Sequence, residues 1–139
     1  MIILDEVQTA TRLAEQALLG AILIESSCGS MTAIHTARGR VRPEDFLGYL
    51  ATAKPWDRCI HARIYQAMLS CQLPPHQINT AQEMNRLHIL QPGDCAYLLE
   101  LISLCPCALD YKSYAVVVAR YAELRGIKRS PSYRGLIVK

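Results

Sequence analysis

Four histidines (His35, His61, His76, His88), six cysteines (Cys28, Cys59, Cys71, Cys95, Cys105, Cys107) and the adjacent acids Glu44 and Asp45 are the side chains best suited to chemistry. Imidazole and thiolate together could bind zinc or form a nucleophile–base pair, and two carboxylates could share acid–base work. The spacing argues against each. There is no CxxC pair, and only Cys105 and Cys107 lie close in sequence, with Pro106 between them; zinc sites show close paired spacings with histidine nearby. Cys59 and His61 are two residues apart and therefore point to different faces of a helix. Glu44 and Asp45 follow Pro43, where a proline-led helix start accounts for acids through the macrodipole. The sequence contains no GxxxxGK[ST] phosphate loop, no GxGxxG turn, no HExxH and no GxSxG, and its glycines are dispersed singly. No catalytic residue, metal ligand or cofactor site follows, and the thiols are expected to be reduced and mostly buried.

The elements that would position any site must fit one domain, since 139 residues bury a single core. A hydrophobic share of 51% with 19% charged residues describes a packed globule rather than a disordered tail. With one Phe and one Trp, the core falls to Leu, Ile, Val, Ala and Tyr, a palette that favours helices. The longest uncharged apolar stretch, Gln16 to Ile24, is about half the ~20 residues a membrane span needs. The MIILDEV start carries acids where a secretory signal carries Lys or Arg. A cytoplasmic protein with no membrane partner is the expectation.

Apolar positions recur at three- and four-residue steps from Thr11 to Ile24, predicting a helix. Gly20 inside it costs about 1 kcal/mol relative to Ala, which a close approach by a second helix would explain. A short helix is expected around Ser30–Ala37, a helix start at Arg42–Phe46, and a loop or ragged end from Leu47 to Pro55. The next helix should run from Trp56 to about Leu73, stopped by Pro74-Pro75. Thr80 and Glu83 have capping-box spacing for a helix reaching Leu90. Asp94 is placed to cap a helix over Cys95–Leu104, and Asp110 one over Tyr111–Ile127. The last helix contains Val116-Val117-Val118, a run costing roughly 0.5 kcal/mol per residue in propensity. Its flanking stripe of Tyr114, Val117, Val118, Tyr121 and Leu124 nevertheless has helical spacing.

Charge is uneven along the chain. Acids outnumber bases through residue 111, whereas residues 112–139 hold seven basic side chains and one acid. Ser130-Pro131-Ser132 reads as linker, so residues 1–127 are expected to form the helical domain and 128–139 a basic linker or tail. Lys128, Arg129 and Arg134 are its candidate basic contacts to acidic protein or nucleic-acid phosphate. The tail lacks the interleaved aromatics of a single-strand binding groove, so DNA contact is expected to be indirect or weak.

Five motifs fall in a familiar order. Ala14-Glu15-Gln16-Ala17-Leu18-Leu19-Gly20-Ala21-Ile22-Leu23, Arg42-Pro43-Glu44-Asp45-Phe46, His61-Ala62-Arg63-Ile64-Tyr65-Gln66-Ala67-Met68, Ala81-Gln82-Glu83-Met84 and Ala96-Tyr97-Leu98-Leu99-Glu100-Leu101 succeed one another. Tyr114-Ala115, Val118 and Leu124-Arg125 follow without a gap. The chain resembles the N-terminal domain of DnaB-type replicative helicases across residues 14–125. That resemblance implies an all-α, compact bundle of about six helices ending in a helical hairpin. It further implies a non-catalytic collar that pairs with itself in a dimer or ring and recruits primase or a loader. ATP hydrolysis would belong to a separate RecA-like domain, a partner if this chain is part of a longer one. The alternative is a free-standing collar mimic that regulates a helicase, primase or loader. The chain departs from the family in lacking a proline upstream of Glu15, in a longer Leu47–Ile60 connection, and in having Val116 where a basic residue is common. Val116 and Ala119 make the last helix more apolar, so Tyr114, Val116, Val117, Val118, Tyr121 and Leu124 are the candidate oligomer interface.

Overall fold

Every residue from Ala17 to Leu23 is buried, and a helix shielded all round has to lie at the centre of its bundle. In the computed structural model that helix is α1 (Ile2–Ser27). Residues 2–46 and 59–124 are described. They form α1, α2 (Thr32–Arg38), α3 (Ile60–Ser70), α4 (Gln77–Arg86), α5 (Asp94–Leu104) and α6 (Tyr111–Leu124), with 3-10 turns at Pro43–Asp45 and Ala108–Asp110. The described residues contain no strand, and α2, α3, α5 and α6 all pack on α1. The all-α bundle of six helices is as expected.

Gly20 lies where α1 and α5 cross. A Cβ there would run into the Leu101 carbonyl oxygen and come within 2.9 Å of the Cys105 Cβ, so the glycine allows the close approach that its sequence position implied. Phe46, the single phenylalanine, is wholly buried. Its ring lies 4.8 Å from that of Tyr65, whose hydroxyl donates to the Val41 carbonyl at 2.9 Å. Burial pushes the Tyr65 phenol up and keeps it neutral.

Several expected boundaries shift. The first helix begins at Ile2, well before Thr11. Residues 47–58, with Trp56, lie outside the described residues, and α3 begins at Ile60. The capping box does not form: α4 starts at Gln77, because His76 Nδ1 accepts from the backbone N–H groups of Ile78 and Asn79. Thr80 sits inside the helix, its hydroxyl on the Pro75 carbonyl at 3.0 Å, and α4 ends at Arg86 rather than Leu90. Gly93, at φ 90°, occupies the cap position before α5, a backbone geometry glycine adopts freely. Asp94 is the first residue of α5 and accepts the Gln91 N–H at 2.8 Å. Asp110 closes the 3-10 turn that runs directly into α6.

The valine run of α6 is helical, as its flanking spacing required. Ala115, Val118 and Ala122 are the buried positions of α6, one step round from the stripe read off the sequence. The axes of α5 and α6 turn through 95° at their connection, making an open corner rather than a closed antiparallel pair. Among the described residues no single helix is long and apolar enough to cross a membrane.

Candidate functional site

The six α6 residues singled out from the sequence divide by exposure. Val118 is wholly buried in the domain's own core and cannot reach a partner. Tyr114 and Tyr121 are half-buried, while Val117 is 37% and Leu124 65% exposed. At three- and four-residue steps these four side chains form one flank of the helix. Val116, 40% exposed, lies roughly 100° away from Val117 around the helix. Leu104 and Leu109 add exposed apolar surface at the α5–α6 corner. Lys128, Arg129 and Arg134 lie outside the described residues.

Beneath this surface the histidines and acids take structural positions. His61 is fully buried on α3; its Nδ1 lies 2.7 Å from Glu15 Oε1 on α1 and its Nε2 2.6 Å from the Tyr97 hydroxyl on α5. The Gln16 side-chain amide donates to the same hydroxyl at 3.1 Å. The Tyr97 ring stacks on the imidazole, with centroids 5.6 Å apart. The tautomer with its proton on Nδ1 satisfies each of these groups: His61 donates to the carboxylate, Tyr97 donates to Nε2, and Gln16 donates to Tyr97. The order carboxylate–imidazole–hydroxyl is that of a nucleophile relay. Burial nevertheless raises the Tyr97 phenol above its ordinary value, against the opposing pull of Gln16, so the hydroxyl stays protonated. The chain orients three helices; it does not activate an attacking group.

A second buried polar contact lies nearby. Arg63 Nη1 reaches Asp94 Oδ2 at 2.6 Å and the Ile89 carbonyl at 2.9 Å, pinning α3 to the start of α5. Asp45 Oδ2 accepts the Arg42 N–H at 2.9 Å, so the Glu44–Asp45 pair shapes the turn, as a proline-led start predicts. His35 and His88 are exposed. Among the described residues no group of three or more His, Cys, Asp or Glu is placed to hold a metal ion. The thiols are less buried than expected: Cys59 is buried, Cys71 and Cys105 half-buried, and Cys28, Cys95 and Cys107 exposed.

On the surface between α3 and α4, Glu83 accepts from Ser70 and forms a two-point contact with Arg86, whose Nη2 is 2.6 Å away. The Arg86 contact first, and the Ser70 hydroxyl second, pull the Glu83 carboxyl down to about 2. Beside them burial, reinforced by the Glu83 charge, pushes the Cys71 thiol up to about 11.

Glu15, Gln16, His61, Arg63 and Tyr97 are the polar members of otherwise apolar motifs, and in the fold they become the connections between helices. Spacing alone showed their helices but not their partners. The sequence profile of the DnaB-like helicase N terminal domain matches residues 7–120. The chain belongs to that family. This DnaB-like domain is similar to the N-terminal domain of DnaB helicase from Mycobacterium tuberculosis, known from a crystal structure. The two share 33% identity at a TM-score of 0.65 over 81% of this chain and 73% of the other. The matched portion of the helicase is its N-terminal domain, and the described residues of this DnaB-like domain are helical throughout, without the strand–helix alternation of an ATPase fold.

Proposed function

We propose that this DnaB-like domain serves as a non-catalytic collar in DNA replication, associating with itself and recruiting primase or a helicase loader. The observation that carries the reading is the α6 flank of Tyr114, Val117, Tyr121 and Leu124, an apolar stripe left half or more exposed beside a filled core. A domain whose buried ionisable groups are occupied in holding helices together, and whose outer helix presents apolar side chains, is built to bind through that surface. Val118 belongs to the core, so the interface reduces to the exposed flank together with Leu104 and Leu109 at the adjoining corner.

The test is sedimentation of the wild-type chain beside Val117→Glu. Burying an unpaired carboxylate in an apolar contact costs several kcal/mol, so the variant should sediment as monomer at concentrations where the wild type self-associates. Identical sedimentation of both would remove α6 from the interface. Circular dichroism of the variant separates loss of association from loss of fold.

A further inference from the structure

Cys105 and Cys107 flank Pro106 at the corner between α5 and α6, a place that none of the structural roles above uses. Cys105 ends α5 at φ −74°, ψ 120°, and Cys107 follows at φ −157°, ψ 111°. Both are extended, and in extended backbone residues two apart share a face. The proline between them fixes its own φ near roughly −65°. That keeps the flanking Cα atoms near the ~7 Å limit within which two cysteines can be bridged. The Cys107 backbone N–H lies against the Cys105 sulfur as well as 3.2 Å from the Tyr114 hydroxyl. Cys107 is exposed and Cys105 half-buried, which is the arrangement of one thiol that meets an oxidant and one that resolves the product.

We propose that Cys105 and Cys107 are an oxidation site that closes to an intramolecular disulfide across Pro106. The oxidant class is a small disulfide such as oxidised glutathione. The Cys107 thiolate attacks one sulfur of the oxidant, forming a mixed disulfide and releasing one glutathione thiolate, which takes up the proton. The Cys105 thiolate then attacks the Cys107 sulfur and expels the second glutathione. Two protein thiols are oxidised, one external disulfide is reduced to two thiols, and the protons pass to the leaving groups. Burial raises the Cys105 thiol, with the Cys107 amide pulling the other way, so closure is the slower step and quickens as pH rises. The linkage would fix the corner where Leu104 and Leu109 are exposed, and its Cys105 end sits against Gly20 of α1.

The full chain, incubated with oxidised glutathione, is followed by native thiol titration and by non-reducing mass spectrometry of the intact protein and its peptides. The expected product is a monomer lighter by about 2 Da, with two thiols lost, both mapped to the segment holding Cys105 and Cys107 and restored by dithiothreitol. Cys95→Ser should leave this product intact. Cys107→Ser should abolish it, and Cys105→Ser should stop at the mixed disulfide. A wild-type chain that stops at the glutathione adduct, that links to a second copy, or that loses about 2 Da even as Cys107→Ser, overturns the proposal.

Discussion

His61 Nδ1 stands 2.7 Å from Glu15 Oε1 with both side chains shut off from solvent, and this hydrogen bond ties the third helix to the first. Removing either partner takes a hydrogen bond away from the other, which stays buried where water cannot replace it. His61→Ala or Glu15→Ala should therefore destabilise the domain by about 3–5 kcal/mol. Replacing both with leucine should cost less than the sum of the single changes, because no orphaned polar group remains. Urea unfolding of the two single variants and the double variant measures this, and simple additivity would show that the pair contributes nothing of its own.

At the crossing of α1 and α5 the relevant quantity is space. Gly20→Ala gains up to about 1 kcal/mol in helix propensity, yet its methyl would meet the Leu101 carbonyl. Overpacking of this kind costs about 1–3 kcal/mol, so a net loss of stability is expected. A more stable Gly20→Ala, read by its urea midpoint, would mean that the helices can part without cost.

Acid should expose the Glu83 contact. Its carboxyl titrates at about 2 when folded, against an ordinary 4.5. The unfolded chain thus takes up the proton first, and the contribution is complete above roughly 4.5 and lost as pH falls toward 2. Glu83→Gln should be less stable than the wild type at neutral pH and converge on it at the acid end. A gap between the two that is constant with pH would contradict the assignment.

Thiol labelling should be ordered by exposure and charge. With maleimide at neutral pH, Cys28, Cys95 and Cys107 should react first, Cys71 much later because burial and Glu83 hold its thiol at about 11, and Cys59 only on unfolding. Early modification of Cys59, read by peptide mass, would place it on the surface.

Much of the architecture was legible because it depends on local rules. Gly20 within an apolar helix signalled close packing, Pro74-Pro75 closed the third helix, and the spacing around Val116–Val118 outweighed β-branched propensity. Local rules also explain the errors. Thr80 and Glu83 have capping-box spacing, but His76 lies four residues earlier and supplies the acceptor, so the helix had already begun. The α6 stripe was shifted because Ala115 and Ala122 are weak hydrophobic signals beside Tyr114, Val117 and Tyr121, yet small side chains are the ones that fit against α1. The Glu15–His61–Tyr97 connection was not legible from spacing at all. Its members lie 46 and 36 residues apart, and a polar residue on a helix reads as solvent-facing until its partner is known.

The central claim is that the domain works as a collar through protein contacts. Light scattering on the purified chain, alone and mixed with the carboxy-terminal domain of the cognate primase, tests it most directly. The account predicts a dimer or larger ring that gains mass on mixing. A chain that stays monomeric at high concentration and ignores primase would contradict it, leaving a DnaB-like fold without the collar function.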